Sequence, residues 1–418
     1  MFADRIRLSA GGVYLLMGAW AGFASALIMT AYALYYITVA HLDALQLVLV
    51  GTALEGSYFV FEIPTGVLAD TFSRRMSVIL GLAIVGLAWT GQGLIPTFVA
   101  IASFEILRGL GEAFVHGATE AWVAGEVGDT ALNALFLRET QISQAAGFIG
   151  LPVGIGLALV DLRIPIVLGG VLTVALAVAL VLVMPERKHP RRDLRGTLSW
   201  RATVGTANRA LWSVRTSALL MALLGAELFW GGASEGYDRL WEAHLLRDLD
   251  FPPFGLPAVV AFGLLSLAGT LIVIATAQLA RRAIARLDEA IVSRSLVVLQ
   301  VIRVGARSLF ALAPSLPLAL VPFFAESMIR AWFQPLFNAW LIRRTDERVR
   351  ATVLSTTSVA NALGQLGGGP VSGAIGNAMG LPAALLSSAA LLVPGVFFFA
   401  RATARQAEAA KQLVDASD

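Results

Sequence analysis

The chain has 418 residues, of which 57% are hydrophobic and only 14% are charged, and its mean hydropathy is +0.76. A soluble chain of this length carries about one quarter charged residues, so the composition indicates a protein that crosses a membrane several times. Cysteine is absent, which excludes disulfides, thiolate metal sites and cysteine catalysis. The net charge of +3 does not indicate a nucleic-acid partner, because the basic residues lie in short loops between apolar stretches.

Apolar stretches recur along the whole chain, and a helix that spans a bilayer needs about 20 mostly apolar residues. On this basis we expect an all-α integral membrane protein with twelve transmembrane helices, arranged as two six-helix bundles, in contact with the lipid bilayer. The predicted spans are residues 11–39, 44–69, 76–95, 97–124, 137–160, 163–184, 216–243, 255–280, 291–313, 316–342, 351–378 and 380–401.

The longest polar stretch divides the chain into halves. We expect an N-terminal bundle at residues 1–184, a cytoplasmic linker at 185–215 and a C-terminal bundle at 216–418. Most Lys and Arg residues fall in the linker and in every second loop, so the positive-inside rule places both termini in the cytoplasm. No cleavable signal peptide is expected, because the first apolar run is too long.

Ionisable residues inside the spans are the default functional candidates, because each costs at least ~2.5–3.5 kcal/mol to insert and needs a partner or a wet cavity. Span 4 carries Glu105, Arg108, Glu112 and His116 at helical spacing, which places them on one face. Arg108 can pair with either glutamate. The arrangement predicts either a coupling or binding site or a buried pair that only fixes packing.

Span 7 carries Glu227 near its middle, with no cation within one helical turn, and Glu235 two turns later. An unpaired buried carboxylate can take up and release protons near neutral pH. Glu227 is therefore the best single candidate for a proton-coupling or cation-binding acid. Span 2 adds Glu55 at mid-depth and Glu62 near the inner end.

Spans 9 and 10 add further charged candidates. Span 9 has Arg303, and span 10 has Glu326 and Arg330 followed by a mixture of aromatic and amide residues around Phe333 and Gln334. That mixture predicts either the wall of a cavity for an amphiphile or plain packing. The acids outnumber the arginines within the spans, which favours cationic or zwitterionic cargo, although arginines in the C-terminal half would also suit a carboxylate.

The hairpin between spans 2 and 3 carries the most specific motif. It resembles the G-x-L-a-D-r-x-G-[RK]-[RK] signature loop of the major facilitator superfamily, and the preceding Glu62-Ile63-Pro64-Thr65 resembles the variant of bacterial drug-efflux members. Thr71 and Ser73 depart from the signature. The matching residues are Gly66, Leu68, Ala69, Asp70, Arg74 and Arg75.

Span 5 gives a second, partial likeness. Gly147, Pro152 and Gly156 match the signature of superfamily antiporters, whereas Leu151 and Ile155 replace two of its glycines. A proline between glycines recurs in span 11, as the superfamily's repeat of two six-helix halves implies. The stretch from Arg350 to Ser355 also looks like efflux-type members.

The resemblance implies a secondary transporter that works by alternating access, and proton-coupled efflux of a cationic or zwitterionic amphiphile is our interpretation of it. It implies that Asp70, Arg74, Arg75, Gly66, Glu62 and Arg350 act in gating on the inner side. The expected partners are a small-molecule substrate and protons, with no nucleic acid, and the chain is expected to be a monomer in a bacterial cytoplasmic membrane.

Rival interpretations remain open at this point. They are a proton symporter that imports a metabolite and an uncoupled facilitator of a lipid or metabolite. An enzyme is not expected, since the sequence shows no catalytic spacing at a membrane boundary. No cofactor or metal is expected either, and the four histidines are too scattered for a metal cluster.

Overall fold

The computed structural model describes residues 9–186, 218–284, 289–344 and 350–415, and within them every regular element is helical. One short 3-10 helix, Pro253–Gly255, precedes α9. The α-helices are α1 Ala10–Thr38, α2 Ala44–Thr71, α3 Arg74–Leu94, α4 Phe98–Val115, α5 Ala118–Val127, α6 Asp129–Ala158, α7 Arg163–Val183, α8 Ala218–Asp248, α9 Ala258–Ile284, α10 Glu289–Ala311, α11 Leu316–Arg344, α12 Arg350–Met379 and α13 Leu381–Asp415.

The predicted helical membrane fold is confirmed, with one correction. These helices fill the twelve predicted spans, but the span expected at 97–124 is broken into α4 and α5. His116 is extended at the C-cap of α4, and Gly117 adopts φ +73, which lies in the left-handed region that favours glycine. The predicted linker lies outside the described residues, apart from Pro185 and Glu186.

The helices differ in how polar their membrane-spanning parts are. Among the described residues, eight helices are long and apolar enough to cross a membrane: α1, α2, α3, α6, α7, α9, α11 and α13. Of the remaining helices, α4, α8 and α10 carry charged side chains inside their spans, and α12 carries Asn361 and Gln365. Polar residues in a spanning helix are expensive, so they mark the regions where function is to be sought.

The chain forms two compact units. The first comprises Met1–Leu42, Ala53–Trp200 and Leu256–Gly263. In it α1 packs on α6 and α7, and α3 packs on α4 and α7. Its core includes Val13, Val78 and Leu180, which are fully buried. Trp122 also packs in this core, and its indole N–H donates to the Pro185 carbonyl at 2.7 Å.

The second unit comprises Asp43–Thr52, Arg201–Gly255 and Leu264–Asp418. In it α8 packs on α12 and α13, and α10 packs on α11 and α13. The first turns of α2 belong to this unit, where the Leu45 amide donates to Asn377 Oδ1 at 3.1 Å. Its core is an aromatic cluster of Trp230, Phe333, Phe337, Trp340 and Phe399.

The crossing of α8 and α12 depends on glycines that let the two backbones touch. A Cβ built on Gly364 would collide with the Leu228 carbonyl oxygen, and one built on Gly231 would collide with the Asn361 carbonyl oxygen. Gly367 lies on the same helix with open space around its Cβ position. Small residues at a helix crossing allow close approach in membranes, so this contact holds α12 against α8.

We expect Gly364→Ala to destabilise the second unit by about 1–3 kcal/mol, because the added methyl group forces the helices apart. The matched control is Gly367→Ala, which adds the same methyl group in open space and should be neutral or slightly stabilising. Thermal unfolding of both purified variants checks this. Equal Tm values for the two variants would contradict the close crossing.

Candidate functional site

Helix α4 carries one arginine between two carboxylates. Arg108 Nη2 lies 2.6 Å from Glu105 Oε2, and Arg108 Nη1 pairs with Glu112. Glu105 is buried, whereas Glu112 is half-buried. The guanidinium also stacks over Trp89, 4.7 Å from the ring centroid. The spacing of three and four residues predicts these pairs, and the cluster carries a net charge of −1.

A tyrosine and a glutamine that the sequence did not single out support this cluster. The Tyr36 hydroxyl lies 3.2 Å from Glu105 Oε1 and also contacts the Gln92 side-chain amide. Gln92 is fully buried, and its Nε2 has no partner among the described residues. If the Gln92 amide is turned so that Nε2 donates to Tyr36, the hydroxyl donates to Glu105. The only signal in the sequence was a glutamine inside an apolar run.

His116 does not join the Arg108 cluster, contrary to the expectation of one continuous face. The break at Gly117 leaves His116 exposed, with its ring 5.9 Å from the ring of Tyr58. Four carboxylates from α2, α4 and α5 lie in the surroundings of Tyr58, which are Glu62, Glu112, Glu55 and Glu120.

Glu227 on α8 is held by amides rather than by a cation. Asn361 Nδ2 donates to Glu227 Oε2 at 2.9 Å, and Gln365 Nε2 donates to Asn361 Oδ1 at 2.8 Å. Glu227 is 6% exposed, and no arginine or lysine in the described part of the chain pairs with it. Asn361 and Gln365 were missed in the sequence, because their relation to Glu227 depends on how α12 packs on α8.

Glu235 has a different environment two turns along α8. Its Oε1 accepts from Arg239 Nε at 2.9 Å, and the carboxylate is buried. The structure does not place Glu235 beside Asn361 and Gln365, the two amides next to Glu227. Glu235 therefore has a cationic partner, whereas Glu227 has an amide donor.

Glu326 is the counterion of two buried arginines. Glu326 Oε1 lies 2.9 Å from Arg303 Nη2 and 2.8 Å from Arg307 Nη2. Arg307 Nη1 also donates to the Ala233 carbonyl at 2.7 Å and to Ser388 Oγ. All three charged side chains are at most 2% exposed. The contacts of this triad therefore tie α8, α10, α11 and α13 together.

Arg330 pairs with α8 and not with Glu326, four residues earlier on its own helix. Its Nη1 and Nη2 donate to Asp238 Oδ1 at 2.5 Å and to Oδ2 at 2.8 Å. The aromatic residues that follow it, Phe333 and Phe337, are buried in the core cluster. Of the two alternatives that the sequence left open for these aromatic residues, their burial favours packing over the wall of a cavity.

The charged hairpin between α2 and α3 is anchored within the first unit. Arg74 Nη2 lies 2.9 Å from Asp70 Oδ1, and Arg74 Nη1 donates to the Ala121 carbonyl on α5. Arg75 Nη2 donates to the Val181 carbonyl on α7. Glu62 and Gly66 are exposed on α2. Arg350 begins α12, and its side chain lies outside the described part of the structure.

Sequence and structure comparisons agree with this architecture. The family model described as Major Facilitator Superfamily matches residues 14–302, which is more than half of the chain. The chain belongs to the major facilitator superfamily. A relative from Bacillus subtilis (strain 168), described as an uncharacterized MFS-type transporter, YxaM, is 22% identical over 382 residues, covering 90% of this chain and 92% of the relative.

Solved structures share the fold at low sequence identity. A bacterial homolog of the human lysosomal transporter Spinster has a TM-score of 0.72 at 17% identity, covering 93% of this chain and 95% of that one. The nucleoside transporter NupG has a TM-score of 0.69 at 14% identity, covering 94% and 99% of the two chains. A POT family transporter in complex with 5-aminolevulinic acid has a TM-score of 0.68 at 13% identity, covering 93% and 95%.

Membership in the superfamily gives the general function. The protein is a multi-pass membrane protein that carries out secondary transport of a small-molecule substrate by alternating access, and it is not an enzyme. The comparisons agree with the sequence-based expectation at this level.

We expect Glu326→Gln to destabilise the second unit by about 3–5 kcal/mol, since it leaves two fully buried guanidinium groups without a counterion. The control is Glu112→Gln, where the lost partner is half-buried and Arg108 keeps Glu105. Thermal unfolding and yield after size-exclusion chromatography measure the difference. A Glu326→Gln variant as stable as Glu112→Gln would show that the triad is not structural.

Proposed function

We propose that this transporter is proton-coupled and that Glu227 carries the proton. The observation that supports this is the environment of Glu227: buried in α8, bonded by the Asn361 amide and not paired with a cation among the described residues. Three other buried carboxylates in the described part of the chain, Glu105, Glu235 and Glu326, each have an arginine within 3 Å. Glu227 has no such partner among the described residues, and we infer that its charge changes during the transport cycle.

The coupling step moves one proton between water and the Glu227 carboxylate. A neutral Glu227 can remain buried at a lower cost than an ionised one, which requires water or a cationic group nearby. Asn361 donates to the ionised carboxylate, and Gln365 holds the Asn361 amide in the orientation that allows this. Proton release therefore favours the state that admits water or cargo to this part of α8.

The direction we propose is efflux, by antiport of cargo against protons. The support is the likeness of residues 62–75 and, in part, of residues 147–156 to drug-efflux members. The cargo we propose is a cationic or zwitterionic small molecule, including drug-like amphiphiles. The excess of acidic residues over arginines within the predicted spans favours cargo that carries a positive charge.

A second candidate is proton-coupled import of a metabolite. It is favoured by the solved structures of similar fold, among which are nucleoside and peptide transporters. An uncoupled lipid or metabolite facilitator is the third reading, and it requires that Glu227 keep one charge state throughout. The direction of gradient-driven transport separates these readings.

We further propose that the hairpin at Asp70 opens and closes the inner side. Its support is that Asp70 has a half-exposed side chain and that, within the described part of the chain, Arg74 contacts only its Oδ1. Gly66, Glu62, Arg75 and Arg350 are proposed to act in the same gate. The two bundles at 1–184 and 216–418 would be the moving bodies, and the linker at 185–215 would join them.

The proposal also covers the membrane in which the protein lies, the location of its termini and its oligomeric state. We propose a bacterial cytoplasmic membrane with both termini in the cytoplasm, on the strength of the Lys and Arg distribution between loops. We propose a monomer, which suffices because each unit has its own core.

The test is transport into proteoliposomes with an imposed pH gradient, using tetraphenylphosphonium and radiolabelled L-glutamine as cargo. Antiport predicts accumulation when the lumen is acidic, and symport predicts accumulation when the outside is acidic. Glu227→Gln should reduce gradient-driven accumulation at least tenfold. Exchange of cargo without a gradient should remain intact in this variant.

The matched control is Asp161→Asn, an exposed loop carboxylate whose bond from the Arg163 amide the asparagine can keep. This variant should accumulate cargo like the wild type. Accumulation that survives in Glu227→Gln but is lost in Glu112→Gln would move the coupling role to α4. Transport that ignores the gradient in every variant would favour the facilitator reading.

A further inference from the structure

Helix α11 presents a polar face that its apolar composition does not explain. Arg330, Gln334 and Asn338 follow one another at intervals of four residues and are all exposed. Residues at this interval share one helical face. Val321, nine residues before Arg330 and hence on the opposite side of the helix, is 71% exposed. The exposed polar face and the exposed apolar face of α11 therefore point in opposite directions.

The apolar face suits lipid, and the polar face requires water. The side chain of Arg330 is 46% exposed and that of Asp238 is 33% exposed. A guanidinium facing the hydrocarbon costs several kcal/mol, so charged residues in spans face a wet path instead. From Arg330 to Asn338 this face extends about 12 Å along the helix, at 1.5 Å per residue. That length suits a small polar molecule.

The ion pair of Arg330 and Asp238, at one end of this polar face, can bind a ligand that carries both a positive and a negative charge. Arg330 and Asp238 meet in a two-pronged contact of 2.5 and 2.8 Å, and each remains partly exposed. A carboxylate can add to the guanidinium while an ammonium group adds to the Asp238 carboxylate. A ligand with only one charge would lie beside one partner of like charge. A zwitterion avoids that repulsion.

The amide pair at the other end offers one donor and one acceptor. Gln334 Nε2 donates to Asn338 Oδ1 at 3.2 Å. Whichever way the two amides are turned, one NH2 group and one carbonyl oxygen have no partner among the residues that the structure describes. An uncharged amide group on a ligand matches that combination. The neighbouring rings of Phe333 and Phe337 are buried, so they cannot stack against an aromatic cation bound at this face.

We propose that Asp238, Arg330, Gln334 and Asn338 form a recognition site for a small zwitterion that carries an uncharged amide-type group. The site narrows the cargo of the proposed transporter from cationic or zwitterionic small molecules to polar zwitterions, and in that sense it rests on the proposed function. The ion pair binds the two charged groups, and the amide pair binds the polar body about two turns further along α11.

Equilibrium binding to the full-length protein in detergent tests the site without any proton gradient. The probes are L-glutamine and glycyl-L-glutamine, compared with L-glutamine methyl ester, which lacks the carboxylate, and N-acetyl-L-glutamine, which lacks the ammonium group. Isothermal titration calorimetry should show binding of at least one zwitterion and at least tenfold weaker binding of its single-charge analogues. Glycerol and tetraphenylphosphonium should not displace the zwitterion.

Variants locate the binding. Asp238→Asn combined with Arg330→Gln, and separately Gln334→Leu, should each weaken zwitterion binding at least tenfold, and Arg401→Gln on the exposed side of α13 should not. Gln334→Leu changes an exposed amide, so it tests the site even if the double variant fails to fold. Absence of zwitterion binding to the wild type, or equal binding to Gln334→Leu and Arg401→Gln, would overturn the proposal.

Because no gradient is used, this result is independent of coupling. Binding at the site with no proton-driven transport would leave the site standing and refute the proposed coupling. Proton-driven transport of tetraphenylphosphonium with no zwitterion binding would do the reverse.

Discussion

A charged side chain inside a bilayer must have a counterion or water, and this constraint explains most of the polar contacts in both units. In the first unit Arg108 is shared by two glutamates, and in the second Glu326 is shared by two arginines. Neither cluster is electrically balanced, yet every one of these groups has an opposite charge in contact. Glu227 differs from these groups, since among the described residues its partner is the Asn361 amide, and a neutral carboxyl group costs less to bury than an ionised one.

Helix α8 is where structure and proposed function meet. Glycines at its crossing with α12 bring the backbones into contact, and the same crossing places Asn361 beside Glu227. Further along, α8 supplies Asp238 to Arg330 on α11. A change in the charge of Glu227 would thus act at the contact that positions α12. That arrangement gives a physical route from a proton to a movement of helices, without any additional group.

The sequence was sufficient for features that depend on one helix at a time. Hydropathy located the spans, and spacing predicted the contacts of Arg108 with Glu105 and Glu112. It failed at His116, because one glycine with positive φ breaks the helix where composition alone continues it. Pairs between helices, such as Arg330 with Asp238, were also missed. They depend on the rotation of each helix, and the same rotation buried Phe333 while it exposed Gln334. The roles assigned to these residues remain predictions.

The central claim is that Glu227 gains and loses the coupling proton, and infrared difference spectroscopy of the purified protein in lipid tests it most directly. A pH jump should produce the carbonyl-stretch band of a protonated carboxyl group, and this band should be missing in Glu227→Gln and present in Glu326→Gln or, if that variant is unstable, in Glu105→Gln. Addition of cargo should shift the same band. A band that is unchanged in Glu227→Gln would contradict the account, because the exchangeable proton would then reside on another residue.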